Sequence, residues 1–233
     1  MADTLPYRIE HSWNRTSRAM LRDGTVLIRL ARGLSAREED RHIENLLRRM
    51  SKAASKEKHR TLIDPFRPLL EGAKRHTVIL VTGTPIEFEI TESTVKRAKA
   101  DPGAHGWIVH RNPKSDTKTF HRFLWKLVSL SAAEEIETFV RQMNDATFRE
   151  DVRSVKLKFM RSRWGSCSLG RNITLATPLL FTAPAILRYV IIHELAHILH
   201  HDHSEKFWNA VEGQEPSYRD ALILLKQMTL PKV

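Results

Sequence analysis

The sequence has only one cysteine, Cys167, in 233 residues. That excludes an intrachain disulfide framework and fits a reducing compartment. Long apolar runs are also missing. VILV at 78–81 and YVII at 189–192 are core-sized, far short of the ~20 residues that span a bilayer. The opening MADTLPYRIEHSWNR turns polar too soon for a secretory signal. A cytoplasmic protein with no membrane partner is therefore expected. Glycine (9) and proline (10) are not in excess, and there is no repeat or low-complexity tract. With 41% hydrophobic residues, a packed core is expected and global disorder is not.

Acidic charge is the other shortage. Asp and Glu number 27 against 38 Lys and Arg, leaving a net charge of +11. Basic residues outnumber acidic ones 14 to 8 in the first 60 residues and 7 to 2 from Arg149 to Arg171. The last 53 residues are near balance, at 5 to 6. Such a field admits nucleic acid, nucleotide or acidic partners, although no aromatic-interleaved basic motif accompanies it.

Periodicity gives a coarse architecture. Tyr7 to Leu30 alternates in places and turns at Asp23-Gly24, a hairpin signal. Ser35 and Glu38 form a capping box, and Ile43, Leu46, Leu47 and Met50 follow helical spacing. The charged stretch 51–75 reads as a loop or a short helix. HTVILVTGTPIEFEIT reads as two strands joined at Gly83-Thr84-Pro85, and GWIVHR as another. Helices follow over TKTFHRFLWKLVSL and SAAEEIETFVRQMNDATF. The second takes Ser131 and Glu134 as a capping box, with Ile136, Phe139, Val140 and Met143 on one face. SVKLKFM and ITLATPLL read as a hairpin turning at SLGRN, with ITLATP as a candidate sheet edge able to pair with an extended peptide. Thr182-Ala183-Pro184 then opens a helix, and Pro216 starts the last one. The fold class is α+β, with a strand-rich half over 1–115 and a helix-rich half over 116–233.

The helix-rich half carries the chemistry. His193, Glu194 and His197 spell H-E-x-x-H, which sets two imidazoles one turn apart on one helix face. Both can reach one Zn2+ ion, and neutral imidazole suits zinc. Glu194 is offset around the helix, free to act on water. The surrounding AILRYVII, LA and IL are apolar, so these polar groups enter protein and need partners. A catalytic zinc takes three protein ligands. His200 lies on the same face, but three residues from 193 to 200 span ~10 Å of axis, too long for one ion. His203 serves if the helix ends near Leu199 or His200 and the chain turns back, with His201 or Asp202 left-handed. Glu212 and Glu215 are the rival third ligands.

SRWGSCS, ITLATPLL, YVIIHELAH, HDHSEKFW and EPSY, in this order from Arg153 to about Leu225, resemble the YgjP-like zinc metallopeptidase family, a zincin. More distantly, H-E-x-x-H-x5-H is similar to SprT-like proteases, which act on proteins bound to DNA. The resemblance implies a zincin-like metallopeptidase domain, with His193, His197 and His203 as metal ligands and Glu194 as the catalytic residue. The chain departs from the family pattern at Ala176, where Asn is usual, and across 51–75.

The expected activity is zinc-dependent hydrolysis of peptide bonds in a peptide or protein, with Glu194 as general base for a metal-activated water. Arg161, Arg163 and Tyr218 are candidates to stabilise an oxyanion. Phe207 and Trp208 are expected to anchor the chain that carries His203. The alternatives are a metal-dependent nucleotide or phosphoanhydride hydrolase, a DNA-associated protease, and a nucleic-acid-binding module with a structural zinc.

Overall fold

The computed structural model describes residues 6–22, 25–58 and 61–231. The chain divides into two compact units, Met1–Arg60 and Thr61–Val233.

The first unit holds strands β1 (Tyr7–His11), β2 (Arg18–Arg22) and β3 (Thr25–Leu30), followed by helix α1 (Ala36–Lys58). β3 is central, parallel to β1 and antiparallel to β2. The Asp23-Gly24 turn lies outside the described residues. Alternation in β3 sends Val26, Ile28 and Leu30 to one face, where they bury against Ile43, Leu46, Leu47 and Met50 of α1. At the start of α1 the Ser35 amide and hydroxyl both donate to Glu38 Oε2, at 2.8 and 2.7 Å. The helix runs on to Lys58, so the first part of the stretch 51–75 is helical.

The second unit begins with β4 (Thr61–Leu62) and a short helix α2 (Arg67–Leu70). A four-stranded sheet follows from β5 (Arg75–Ile79), β6 (Pro85–Glu92), β7 (Lys99–Gly103) and β8 (Gly106–Arg111), ordered β5-β6-β8-β7. The β5–β6 turn places Gly83 at φ 89°, a left-handed conformation that glycine adopts freely. β7 was not expected, because its KADPG sequence has no apolar alternation.

Helices α3 (Thr117–Ser131) and α4 (Ala133–Ala146) come next. Asp116 caps α3 by accepting from the Thr119 amide at 2.7 Å. The expected Ser131–Glu134 capping box is not formed. Ser131 closes α3 instead, donating to the Leu127 carbonyl and accepting from Trp107 Nε1, so its oxygen is already engaged. Ile136, Val140 and Met143 are buried as the spacing required, and Phe139 is half-buried.

The expected SVKLKFM–ITLATPLL hairpin is also corrected. β9 (Ser154–Lys158) pairs parallel with β11 (Asn172–Ala176), and β10 (Gly165–Cys167) is the strand antiparallel to it. Two parallel neighbours need a crossover, which 159–164 begin. β11 is therefore the central strand and offers no free edge, so the peptide-pairing edge expected at ITLATP is overturned. A 3-10 turn, Thr177–Phe181, leads into α5 (Pro184–Leu199), then α6 (Glu205–Gln214), α7 (Tyr218–Lys226) and β12 (Met228–Thr229), which pairs with β4.

The unit is a mixed α+β domain, with small sheets and helices around one core, consistent with the zincin-like fold that the sequence resemblance implies. Phe88 and Val109 share that core with Leu124, Trp125, Ile191 and Ile192. The change to helix-rich sequence near residue 115 falls inside it. Among the described residues no helix is long and apolar enough to cross a membrane.

Candidate metal centre

Helix α5 is buried nearly all round, through Ile186, Leu187, Tyr189, Val190, Ile191, Ile192, Leu195, Ala196 and Ile198. Pro184 occupies its first turn, as expected, but Thr182 is no cap: its hydroxyl donates to the Leu179 carbonyl at 2.7 Å. The helix ends at Leu199. His200 is extended (φ −134°, ψ 107°), and its amide closes on the Ala196 carbonyl. The expected left-handed residue at His201 or Asp202 is absent: of the described non-glycine residues, only Arg149 and Arg171 have positive φ. Extension at His200 achieves the reversal, and Asp202 Oδ1 then accepts from the Ser204 amide at 3.2 Å.

That reversal carries His203 back over the helix. One ligand atom from each of His193, His197 and His203 lies within 4.8 Å of the others. The Nε2 atoms of His193 and His203 are 3.2 Å apart. Tetrahedral coordination at ~2.0–2.1 Å per bond sets donors about 3.3 Å apart, which the His193–His203 pair already meets. Phe207, fully buried on α6, lies 4.9, 4.5 and 4.8 Å by ring centroid from His193, His197 and His203.

The rings are held and electrically prepared. His197 Nδ1 donates to the His200 carbonyl at 3.0 Å, which leaves its Nε2 lone pair free. Tyr189 Oη lies 3.5 Å from His193 Nδ1, and Tyr189, Tyr218 and Trp208 stack in series beside it. Burial, then repulsion from His197 and His203, pushes the His193 pKa down to about 3. Burial likewise lowers that of His197. Both rings are neutral at pH 7, the state that binds a cation.

Glu194 points elsewhere, as its offset required. It is 5% exposed, and its Oε2 has no hydrogen-bond partner. Burial raises its pKa to about 8, against the opposing charge of Arg163. Gly165 on β10 lies against it: a Cβ there would stand 2.4 Å from Glu194 Oε1. An unpartnered carboxylate oxygen beside three converging imidazoles fits a site completed by a cation and a water. The residues present therefore suit a zinc ion.

Glu212 and Glu215, the rival ligands, are engaged elsewhere, with Arg219 and Arg188. Cys167 is outside the trio. Burial and the Glu194 charge push its thiol up to about 11. Arg163 acts on Glu194 through its charge, and Tyr218 is stacked on Trp208 with Arg219 over its ring. Two contributors escaped the sequence reading, Tyr189 and the His200 carbonyl. Tyr189, four residues before His193, carried a spacing signal; a backbone oxygen leaves none. A cavity of about 720 Å³ bordered by Val81, Glu135, Phe139 and Leu187 sits by the first turns of α5, away from the histidines.

A buried H-E-x-x-H helix facing a returning histidine is the arrangement of a metallopeptidase. Residues 15–228 match the YgjP-like metallopeptidase domain, and the chain belongs to that family. A solved structure, the metallopeptidase zymogen abylysin of Pyrococcus abyssi, aligns with 40% of this chain and 95% of its own, at 22% identity and a TM-score of 0.33. No curated protein matches the sequence. Family membership supports a metal-dependent peptidase acting on peptide or protein.

Proposed function

We propose that the protein is a zinc-dependent peptidase in which His193, His197 and His203 hold one ion and Glu194 is the general base. The carrying observation is the convergence of three imidazoles beside a buried carboxylate whose Oε2 has no partner. When bound, zinc supplies Lewis acidity toward a scissile carbonyl and toward water.

The chain's own residues supply the rest. Glu194 accepts the proton of the attacking water at Oε2 and returns it to the departing amide nitrogen. The apolar walls around Glu194 keep its basicity high. Gly165 leaves the carboxylate room, and Arg163 places positive charge on that side. A purely structural zinc would have its fourth position closed by protein, and Glu194 is not a fourth donor of the trio.

Metal analysis and peptide cleavage on two variants test this reading. Glu194→Gln should keep its zinc and lose turnover by a factor of 10² or more. His203→Ala should lose zinc. Full cleavage by Glu194→Gln, or unchanged zinc in His203→Ala, refutes the assignment. A nucleoside triphosphate arm separates peptide from phosphoanhydride hydrolysis.

A further inference from the structure

The first 60 residues hold 14 basic and 8 acidic residues, so +6 of the net +11 resides in about a quarter of the chain. Helix α1 itself holds 7 basic and 5 acidic residues, so its contribution depends on how they are arranged around the axis. Its apolar positions, Ile43, Leu46, Leu47 and Met50, pack on β3. At 100° per residue the opposite face carries Arg37, Arg41, Asn45 and Arg48, all exposed. Two exposed acids border this stripe, Glu44 on one edge and Glu38 on the other.

Among the described residues none of these three arginines forms an ion pair, and Arg48 has one side-chain contact, to Asn45 Oδ1 at 3.1 Å. Arg37 and Arg41 stand one turn apart, a like-charge spacing that destabilises a helix by ~0.2–0.5 kcal/mol. An outside anion would relieve it. From Arg37 to Arg48 the stripe runs about 16 Å along the axis, at 1.5 Å per residue. That length is the span of several successive phosphates of one strand. The cations of the stripe from 37 to 48 are arginines, whose planar fork binds phosphate in a bidentate manner.

We propose that the outer face of α1 is a binding surface for duplex nucleic acid, gripping the phosphate backbone through Arg37, Arg41 and Arg48. A membrane is the poorer partner. A basic helix binds a bilayer by inserting its apolar face, and here that face is covered by Val26, Ile28 and Leu30. The surface is independent of the peptidase reading, because no candidate metal ligand lies in this unit.

The test uses the full chain and a fluorescein-labelled 20-base-pair DNA duplex, followed by anisotropy from 50 to 200 mM salt. Micromolar binding is expected, with log K falling on log salt at a slope of about −3, since each neutralised phosphate contributes ~0.9. The triple Arg37→Gln, Arg41→Gln, Arg48→Gln variant should bind at least tenfold more weakly with most of that slope gone. Its helix content and zinc should be unchanged. Glu44→Gln should bind more tightly, a gain that no folding defect can mimic. No salt-dependent binding by the wild type, or equal affinity and slope in the triple variant, overturns the proposal. So does tighter binding to phosphatidylserine vesicles than to the duplex.

Discussion

Gly165 shows how far a single atom controls this site. A β-carbon there would stand 2.4 Å from Glu194 Oε1 and 2.7 Å from its Cδ and Cγ, far inside contact distance. The backbone of Gly165 needs no left-handed conformation, so alanine is barred by crowding rather than by torsion. Glu194 is buried and would have to move. Gly165→Ala is thus expected to keep its zinc while losing activity of the order of 10²-fold, the effect of misplacing a reacting group by about an ångström. Cleavage assays with metal analysis check this, and wild-type rates would show that Glu194 tolerates displacement. At this scale the sequence was most informative about the residues that define the chemistry. H-E-x-x-H fixed the relative directions of His193, Glu194 and His197, because helix geometry is regular. It said nothing of Gly165 meeting Glu194, since that contact comes from a separate strand, nor of the His200 carbonyl that orients His197.

At the scale of elements, α6 works as the floor beneath the three histidines. Phe207 is fully buried and touches all three rings, so it joins the packing of α5 and α6 to the position of His203. Phe207→Ala should cost ~3–5 kcal/mol of stability and loosen the trio. Zinc affinity should fall 10–100-fold, the usual effect of disturbing the support around a metal site. Phe207→Leu should recover most of both. Denaturant unfolding and competition against a zinc chelator measure the two effects, and an unaltered zinc affinity in Phe207→Ala would remove its supporting role. The elements that were misread share a cause. β9 and β11 alternate, and alternation identifies a strand without saying which neighbour it takes; the three residues of β10, GSC, give no such signal, and the parallel β9–β11 pairing rests on a crossover. Ser131 has the chemistry of a cap, but Trp107 reaches it from another strand. Local signals lost to tertiary contacts in both cases, while α3 and α5 kept the extents expected of them to within a turn, and α1 kept its capped start but runs on to Lys58.

For the whole molecule, chain position separates two kinds of charge chemistry. The candidate donors all lie in 61–233, where the sequence is close to charge balance around the histidines, while the basic surplus is strongest in 1–60. Metal should therefore stabilise one unit directly. An ion at a thousand times its dissociation constant adds ~4 kcal/mol, which raises the melting temperature of a domain of this size by on the order of 10 °C. Removing it by chelation should undo that gain. The local signature is more telling than the melt. Amide exchange should quicken through α5 and α6, residues 184–214, whose turns hold His193, His197 and Phe207. Exchange across α1 between 36 and 50 should not change, because its packing against Val26, Ile28 and Leu30 contains no metal donor. Hydrogen exchange with and without chelator reads both regions in one sample. Equal acceleration in the two would mean that the ion acts on the chain as a whole, and a lack of response in 184–214 would mean that the three imidazoles are not its ligands.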